Sequence, residues 1–343
     1  MTLSEPVVVY GAGSWGTTLA LVLAGKGVPV LLWGRDEVQR GAMTRERENR
    51  KYLPGIPFPG FIHVVPEGAP PRPAGSVAVL AVPSHGIREL LAAVEPKDGV
   101  TWVIATKGLE EGTGYRMSQV VADAFVGSAA SSPVPFDPAS SPLVTLAGPS
   151  LAREVAEGKP TALLAASTSE SAAAHVQELF ATDRFRVYRS SDPIGVELAT
   201  SLKNGIALAA GIAEGLELGR NTLGALLTRG LAEITRLGVA LGAQMETFLG
   251  LAGVGDLVTT CTSPLSRNNQ LGRLLAQGHS LDAALGKMTM VAEGVRTTRA
   301  AVSLAADKGI EVPILAQVER ILFHGLDPAE AIDALMTRPL RAE

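Results

Sequence analysis

Val7-Val8-Val9-Tyr10-Gly11-Ala12-Gly13-Ser14-Trp15-Gly16-Thr17-Thr18 opens the ordered pattern of the chain and leads into an apolar stretch ending at Ala24. Four strand-forming residues, a turn with glycine at its first, third and sixth positions, and a helical segment follow one another without interruption. The three glycines play different parts. The first permits the tight turn, the second lets backbone approach a pyrophosphate, and the third lets helix and strand pack closely. The phosphates then sit on the helix N-terminus. Gly11, Gly13 and Gly16 therefore predict a dinucleotide-binding loop. Pro6 to Gly25 carries no charge and is about as long as a membrane span. Its interior glycines, serine and threonines, and the absence of basic residues before it, argue against both a span and a signal peptide.

Outward from this loop, a second strand ends at Trp33-Gly34-Arg35-Asp36, with Asp36 twenty residues past Gly16. A carboxylate at that point favours NAD and an arginine favours NADP. With both present, Arg35 points to NADP, NAD being used as well, and Asp36 is left facing solvent. Further strand-like runs, Val77 to Val82, Val100 to Thr106, Leu143 to Ala147 and Phe185 to Tyr188, alternate with helical patterns, which predicts a parallel sheet covered on both faces. Gly127 to Pro142, rich in Ser, Pro and Ala, reads as a surface loop.

At Asp192-Pro193, an N-cap followed by a first-turn proline, the pattern becomes helical. Helices are expected over Asp192 to Leu218, Asn221 to Leu241, Asn269 to Ala276, Leu281 to Leu285, Val295 to Lys308, Pro313 to Phe323 and Pro328 to Met336. The fold class is α/β: an N-terminal Rossmann-type dinucleotide-binding domain over residues 1–190, then an all-α substrate domain over 191–343.

Composition agrees and narrows the function. The chain has 343 residues, 46% of them hydrophobic and 19% charged, which supports two buried cores. A formal charge of -4 excludes the basic footprint of a nucleic-acid binder. The single cysteine, Cys261, excludes an intramolecular disulfide and fits a reducing compartment. The reading is a cytoplasmic enzyme with a small-molecule substrate and no membrane span, and a homodimer is the self-association it allows. His63, His85, His175, His279 and His324 lie scattered without ligand spacing, so no metal is expected.

Several side chains could carry chemistry. Lys107 follows the strand from Val100 and so stands at the carboxyl edge of the sheet, where ligands bind in such folds. Lys203 has Val196, Ala199, Thr200, Ile206, Ala207 and Ala210 as its helical neighbours, with no carboxylate among them. An ammonium on that face is either a stem that packs with its head in water or a proton-transfer group. Gly195, Gly205, Gly211 and Gly215 in the same helix cost up to about 1 kcal/mol each, which points to close packing against another helix or a ligand. Ser266-Arg267-Asn268 opens the helix over Asn269 to Ala276, and a capped helix end beside an arginine makes a phosphate site. Asp256, between Gly253-Val254-Gly255 and Thr259-Thr260, could orient a lysine, bind a substrate hydroxyl, or be a turn residue.

Taken together, Gly-Ala-Gly-Ser-Trp-Gly-Thr at 11–17, Val-Pro-Ser-His at 82–85, Thr-Lys-Gly-Leu-Glu at 106–110, Ala-Gly-Pro-Ser at 147–150, Leu-Lys-Asn at 202–204, the run at 221–238, Gly-Val-Gly-Asp-Leu-Val-Thr-Thr-Cys at 253–261, Ser-Arg-Asn at 266–268 and Glu-Gly-Val-Arg-Thr-Thr at 293–298 resemble the bacterial NAD(P)-dependent glycerol-3-phosphate dehydrogenases. The motifs match in order over nearly the whole chain. The resemblance implies interconversion of sn-glycerol 3-phosphate and dihydroxyacetone phosphate, mainly reducing the ketone to supply glycerophospholipid backbones. It implies Lys203 as proton donor and acceptor, Lys107 touching substrate and cofactor, and Gly148, Ser150, Asn204, Asp256, Ser266, Arg267 and Asn268 lining the substrate site. It places Ser14, Trp15, Arg35, Lys107, Ala152, Arg267, Val291 and Glu293 on the cofactor.

Two departures stand out: Ala199-Thr200-Ser201 replaces glycines usual before Leu-Lys-Asn, and Gly205 stands where valine is usual. They bear on helix packing more than on chemistry. The rival readings are another two-domain reductase, of the 6-phosphogluconate or ketopantoate type, and a non-catalytic dinucleotide-binding sensor. The sensor would need neither the lysine on an apolar face nor a phosphate site.

Overall fold

The glycine turn does connect a strand to a helix: β1 (Val7–Tyr10) runs into α1 (Ser14–Gly25). The computed structural model describes residues 5–73, 75–94, 98–128, 140–288 and 290–340. The loop expected over Gly127 to Pro142 lies for its greater part, 129–139, outside the described residues.

After α1 come β2 (Val30–Trp33), α2 (Glu37–Glu46), β3 (Ile62–Val64), β4 (Val77–Leu80), α3 (Ile87–Ala93), β5 (Thr101–Ile104) and α4 (Met117–Ser128). They are followed by β6 (Leu143–Ala147), α5 (Ala152–Ala156), β7 (Thr161–Ala166), α6 (Glu170–Phe180) and β8 (Phe185–Ser190). The strands form one sheet in the order β3-β2-β1-β4-β5-β6-β7-β8. Every neighbouring pair is parallel except β6 and β7. Alternate side chains enter separate cores, Val7 and Val9 on one face and Val8 and Tyr10 on the other, as a sheet covered on both sides requires. The sequence reading did not resolve β3, β7 or the antiparallel pair.

The helical part comprises α7 (Pro193–Gly215), α8 (Gly219–Ala240), α9 (Met245–Leu249), a π-turn over Leu251–Gly255, α10 (Asp256–Thr262), α11 (Arg267–Ala276), α12 (Leu281–Gly286), α13 (Gly294–Asp307), α14 (Pro313–His324) and α15 (Pro328–Met336). The sequence reading anticipated these helices except α9, the π-turn and α10. No helix among the described residues is long and apolar enough to cross a membrane.

The chain forms two units, Met1–Lys107 with Tyr115–Glu197, and Gly108–Gly114 with Leu198–Glu343. The division thus falls inside α7, and Gly108–Gly114 groups with the helices, whereas the sequence reading divides the chain at 190 and gives that segment to the first domain. In the second unit, Gly211 lets α11 approach so closely that an added Cβ would strike the Asn269 carbonyl oxygen. Gly215 does the same beside Ala276 and Arg273. The helix-breaking cost of these glycines is offset by this contact, with Leu208, Leu271 and Leu275 in the core between. The departures from the family pattern are absorbed locally. Ser201 Oγ accepts the Gly108 amide at 2.9 Å, and Leu315 and Thr298 occupy the space beside Gly205.

Candidate active site

In the first unit the three loop glycines have different surroundings. Gly11 has φ +117°, and a Cβ there would lie 2.5 Å from the Ala81 carbonyl carbon at the end of β4. At Gly16 a Cβ would run into the Gly11 carbonyl oxygen, so the helix approaches the end of the strand only because Gly16 has no side chain. A Cβ on Gly13 would meet nothing within 4 Å. Gly13 is also the N-cap of α1, no side chain caps that end, and its first turn holds no acidic residue. The indole N–H of Trp15 is buried and finds no partner among the described residues. Open space before an uncapped helix end, with a stranded donor beside it, fits the pyrophosphate of a nicotinamide dinucleotide.

Ser14 and Ala152 come together at that end: Thr18 Oγ1 bonds the Ser14 carbonyl at 2.9 Å and the Ala152 carbonyl at 3.1 Å. Lys107 Nζ donates to the Gly148 carbonyl at 2.9 Å, and Ser150 Oγ donates to the same oxygen at 3.0 Å. Three predicted substrate residues therefore meet at one atom. Gly148, with φ +144°, is the only one of them in a backbone region that favours glycine.

The end of β2 differs from expectation. Arg35 Nη1 donates to Glu89 Oε2 of α3 at 3.2 Å. Asp36 does not simply face solvent, as the sequence reading has it. Its Oδ1 caps α2 by accepting the Gln39 amide at 3.0 Å, and its Oδ2 accepts from Lys51 at 3.2 Å. The Gln39 amide first, and then Lys51, hold the Asp36 carboxyl below the usual carboxylate range.

In the second unit, Lys203 on α7 is buried. Its Nζ lies 3.1 Å from Asp256 Oδ1 and donates to Thr260 Oγ1. Thr260 Oγ1 donates in turn to Asp256 Oδ1 at 3.2 Å, and the Lys203 and Asp256 side chains expose only 4% and 2%. Asp256 is the first residue of α10, so it is not the turn residue of the third sequence alternative. The i, i+4 spacing of Asp256 and Thr260 puts both on one helical face toward the lysine. Thr260, visible in the sequence only as one of two hydroxyls after Asp256, had no site role assigned there, because α10 itself was not foreseen.

Beside them, Asn268 Nδ2 donates to Asn204 Oδ1 at 3.0 Å, and Asn268 Oδ1 accepts the Gly294 amide at 3.0 Å. Three helices, α7, α11 and α13, are pinned through these two amides. Ser266 is the N-cap of α11, its hydroxyl accepting the Asn269 amide at 3.3 Å. Arg267 is the first residue of that helix, half-buried, and no hydrogen bond of its guanidinium is found among the described residues. Burial pulls its pKa down, opposed by the charge of Glu293, the N-cap of α13. Arg267 lines a cavity of about 420 Å³ with Gln270, Arg273 and Lys287. Val291, exposed, lies two residues before Glu293.

Models of known families match both parts of the chain. Residues 6–173 match the N-terminus, and 192–333 the C-terminus, of NAD-dependent glycerol-3-phosphate dehydrogenase. The chain belongs to this family. The glycerol-3-phosphate dehydrogenase (NAD(P)+) of Citrifermentans bemidjiense is 46% identical over 344 residues, 99% of each chain. That of Thioalkalivibrio sulfidiphilus is also 46% identical, over 98% of each chain. The crystal structure of glycerol-3-phosphate dehydrogenase from Coxiella burnetii shares the fold with a TM-score of 0.88 at 37% identity, over 98% of this chain and 100% of that one. As a glycerol-3-phosphate dehydrogenase family member, the chain has its glycine loop within the N-terminal match and Lys203, Asp256 and Arg267 within the C-terminal one.

Proposed function

We propose that this chain is an NAD(P)-dependent sn-glycerol-3-phosphate dehydrogenase that works mainly in the direction of dihydroxyacetone phosphate reduction, with Lys203 as its proton donor. The observation that carries the residue assignment is the buried Lys203–Asp256–Thr260 cluster. An ammonium is expensive to bury, and here it is held by a carboxylate and a hydroxyl on one helix face rather than released to water.

NAD or NADP, when bound, supplies or accepts the hydride exchanged at substrate C2. In the reducing direction Lys203 Nζ gives its proton to the oxygen that becomes the new hydroxyl, and in the oxidising direction it takes that proton back. Asp256 and Thr260 fix the position of Nζ. Lys107, anchored on the Gly148 carbonyl with Ser150 beside it, adds positive charge that favours the developing alkoxide. Arg267, with the capped N-terminus of α11, holds the substrate phosphate, as its unpaired, partly desolvated guanidinium favours. Asn204 and Asn268 keep α7 and α11 in register and complete the substrate-facing set with Ser266.

On the cofactor side the reading assigns Gly11, Gly13, Ser14, Trp15, Gly16, Ala152, Val291 and Glu293, with Arg35 facing the adenosine 2′ position. Residues up to about 190 serve as the cofactor domain and the remainder as the substrate domain. A cytoplasmic setting suits Cys261, whose thiol is buried and pushed up to about 12 by that burial. Self-association as a homodimer is supported by Leu249, Val254, Val258 and Leu265, apolar side chains exposed on the second unit. The product would serve glycerophospholipid synthesis.

The other reductases and the sensor reading are not favoured, since both family models are those of glycerol-3-phosphate dehydrogenase. The test on the purified protein is NADPH oxidation with dihydroxyacetone phosphate and ketopantoate offered separately, and NADP+ reduction with 6-phosphogluconate. Turnover with dihydroxyacetone phosphate is expected. Turnover only with another substrate, or with none, overturns the proposal.

A further inference from the structure

Among the charges near the end of β2, Arg35, Asp36, Lys51 and Glu89 take no part in proton or hydride transfer. They are matched into two ion pairs. Lys51 meets Asp36 at 3.2 Å and Arg35 meets Glu89 at 3.2 Å. The two pairs are not equivalent. Asp36 is engaged twice, through Oδ1 with the Gln39 amide of α2 and through Oδ2 with Lys51, so a ribose hydroxyl would have to share oxygens already used by the helix cap and the lysine. Among the described residues, the side chains of Arg35 and Glu89 pair only with each other. Their side chains are 76% and 68% exposed, so the bond between them is worth little and is easily exchanged.

We propose that Glu89 sets the preference between NADPH and NADH by occupying Arg35 when no 2′-phosphate is present and competing with that phosphate when it is. The proposal rests on the reading of Arg35 as the group facing the adenosine 2′ position. A dianionic phosphate can take two N–H bonds from one guanidinium, and such charge-assisted pairs outlast a single-bonded carboxylate in water. NADPH binding therefore opens the Arg35–Glu89 pair and leaves the Glu89 carboxylate near the new phosphate. Both effects work against NADPH. NADH leaves the pair closed, and no charge is stranded. A chain built this way uses both cofactors, because the arginine that rewards the phosphate carries its own substitute anion.

The experiment compares wild type, Glu89→Gln, Arg35→Ala and the double variant. It uses calorimetric binding of NADP+ and NAD+, alongside kcat/KM with NADPH and NADH. Glu89→Gln is expected to tighten NADP+ and to raise the NADPH-to-NADH ratio about two- to fivefold, the factor carried by an exposed ion pair, while NAD+ binding stays within error. Arg35→Ala is expected to weaken NADP+ selectively, and in that background Glu89→Gln should change nothing. An unchanged NADP+ affinity in Glu89→Gln, with Arg35→Ala still selective, overturns the role of Glu89 and leaves Arg35 as the reader. An equal gain from Glu89→Gln with and without Arg35 shows a bulk charge effect and overturns the competition. Equal weakening of both cofactors by Arg35→Ala removes the reading beneath it and the proposal with it.

Discussion

Replacing Asp256 by Asn separates the charge of the buried cluster from its shape. Lys203 Nζ and Asp256 Oδ1 are 3.1 Å apart in side chains exposed by only 4% and 2%. Asn keeps an oxygen able to accept from Lys203 or Thr260, so what is lost is the compensation of a buried positive charge. Breaking such a pair from one side costs about 3–5 kcal/mol. Because Thr260 still accepts from the lysine, the lower end applies, about 3 kcal/mol, a large part of the 5–15 kcal/mol that holds a typical domain. For a domain of this size the expected fall in Tm is about 6–12 °C. Trp15, Trp33 and Trp102, the three tryptophans of the chain, lie in the first unit, so urea unfolding of the second is followed by far-ultraviolet circular dichroism. Lys203→Met should be destabilised in its turn, by leaving the buried Asp256 carboxylate without the opposing ammonium. The double variant should recover about 2 kcal/mol or more of the summed losses, since partners in one buried pair are not additive. A loss below about 1 kcal/mol in Asp256→Asn, or one that Lys203→Met does not relieve, would refute the view that the carboxylate neutralises the lysine.

Three further outcomes are expected. Gly13→Ala should leave stability intact, because its Cβ meets nothing within 4 Å, yet weaken NADPH binding measured by fluorescence; Gly16→Ala, whose Cβ runs into the Gly11 carbonyl, should damage folding as well. Glu233, buried and accepting the Ile314 and Leu315 amides, has its pKa raised to about 7 chiefly by desolvation. The folded state then holds a proton that the unfolded state has released, so stability should fall by about 2 kcal/mol between pH 5 and pH 8 relative to Glu233→Gln, as read by urea unfolding at each pH. Arg267→Ala should cost about 2–5 kcal/mol in kcat/KM for dihydroxyacetone phosphate and much less for dihydroxyacetone, which has no phosphate; equal losses for the two would remove Arg267 from the phosphate.

The sequence was most informative where a local rule decides structure. The glycine turn is such a place, because Gly16 answers a contact within the turn itself, Gly11 one at the end of the neighbouring strand β4, and Gly13 leaves the space before the helix open. The N-cap at Ser266 and the helix after Asp192-Pro193 were legible for the same reason. What stayed hidden depends on pairing across the chain. β3 spans only Ile62–Val64, too short to form a pattern, and the alanine-rich β7 is antiparallel to β6 although its flanks resemble the other strands. Gly250, Gly253 and Gly255 disguised the π-turn, and with it the start of α10 at Asp256. Asp256 was therefore visible as a carboxylate near hydroxyls, but its pairing with Lys203 was one of three alternatives. Glu89 carried no signal at all, since only the folding of α3 beside β2 brings it to Arg35.

The central claim is that Lys203 supplies the proton in a nicotinamide-dependent reduction of dihydroxyacetone phosphate. The most direct measurement is single-turnover oxidation of bound NADPH by saturating dihydroxyacetone phosphate in wild type and Lys203→Ala, with NADPH affinity determined separately on the same folded samples. The account predicts a rate lowered by about 10²- to 10⁴-fold, the usual worth of general acid catalysis, with NADPH affinity nearly unchanged. A rate within about tenfold of wild type would contradict it, because a residue that delivers the proton cannot be removed so cheaply.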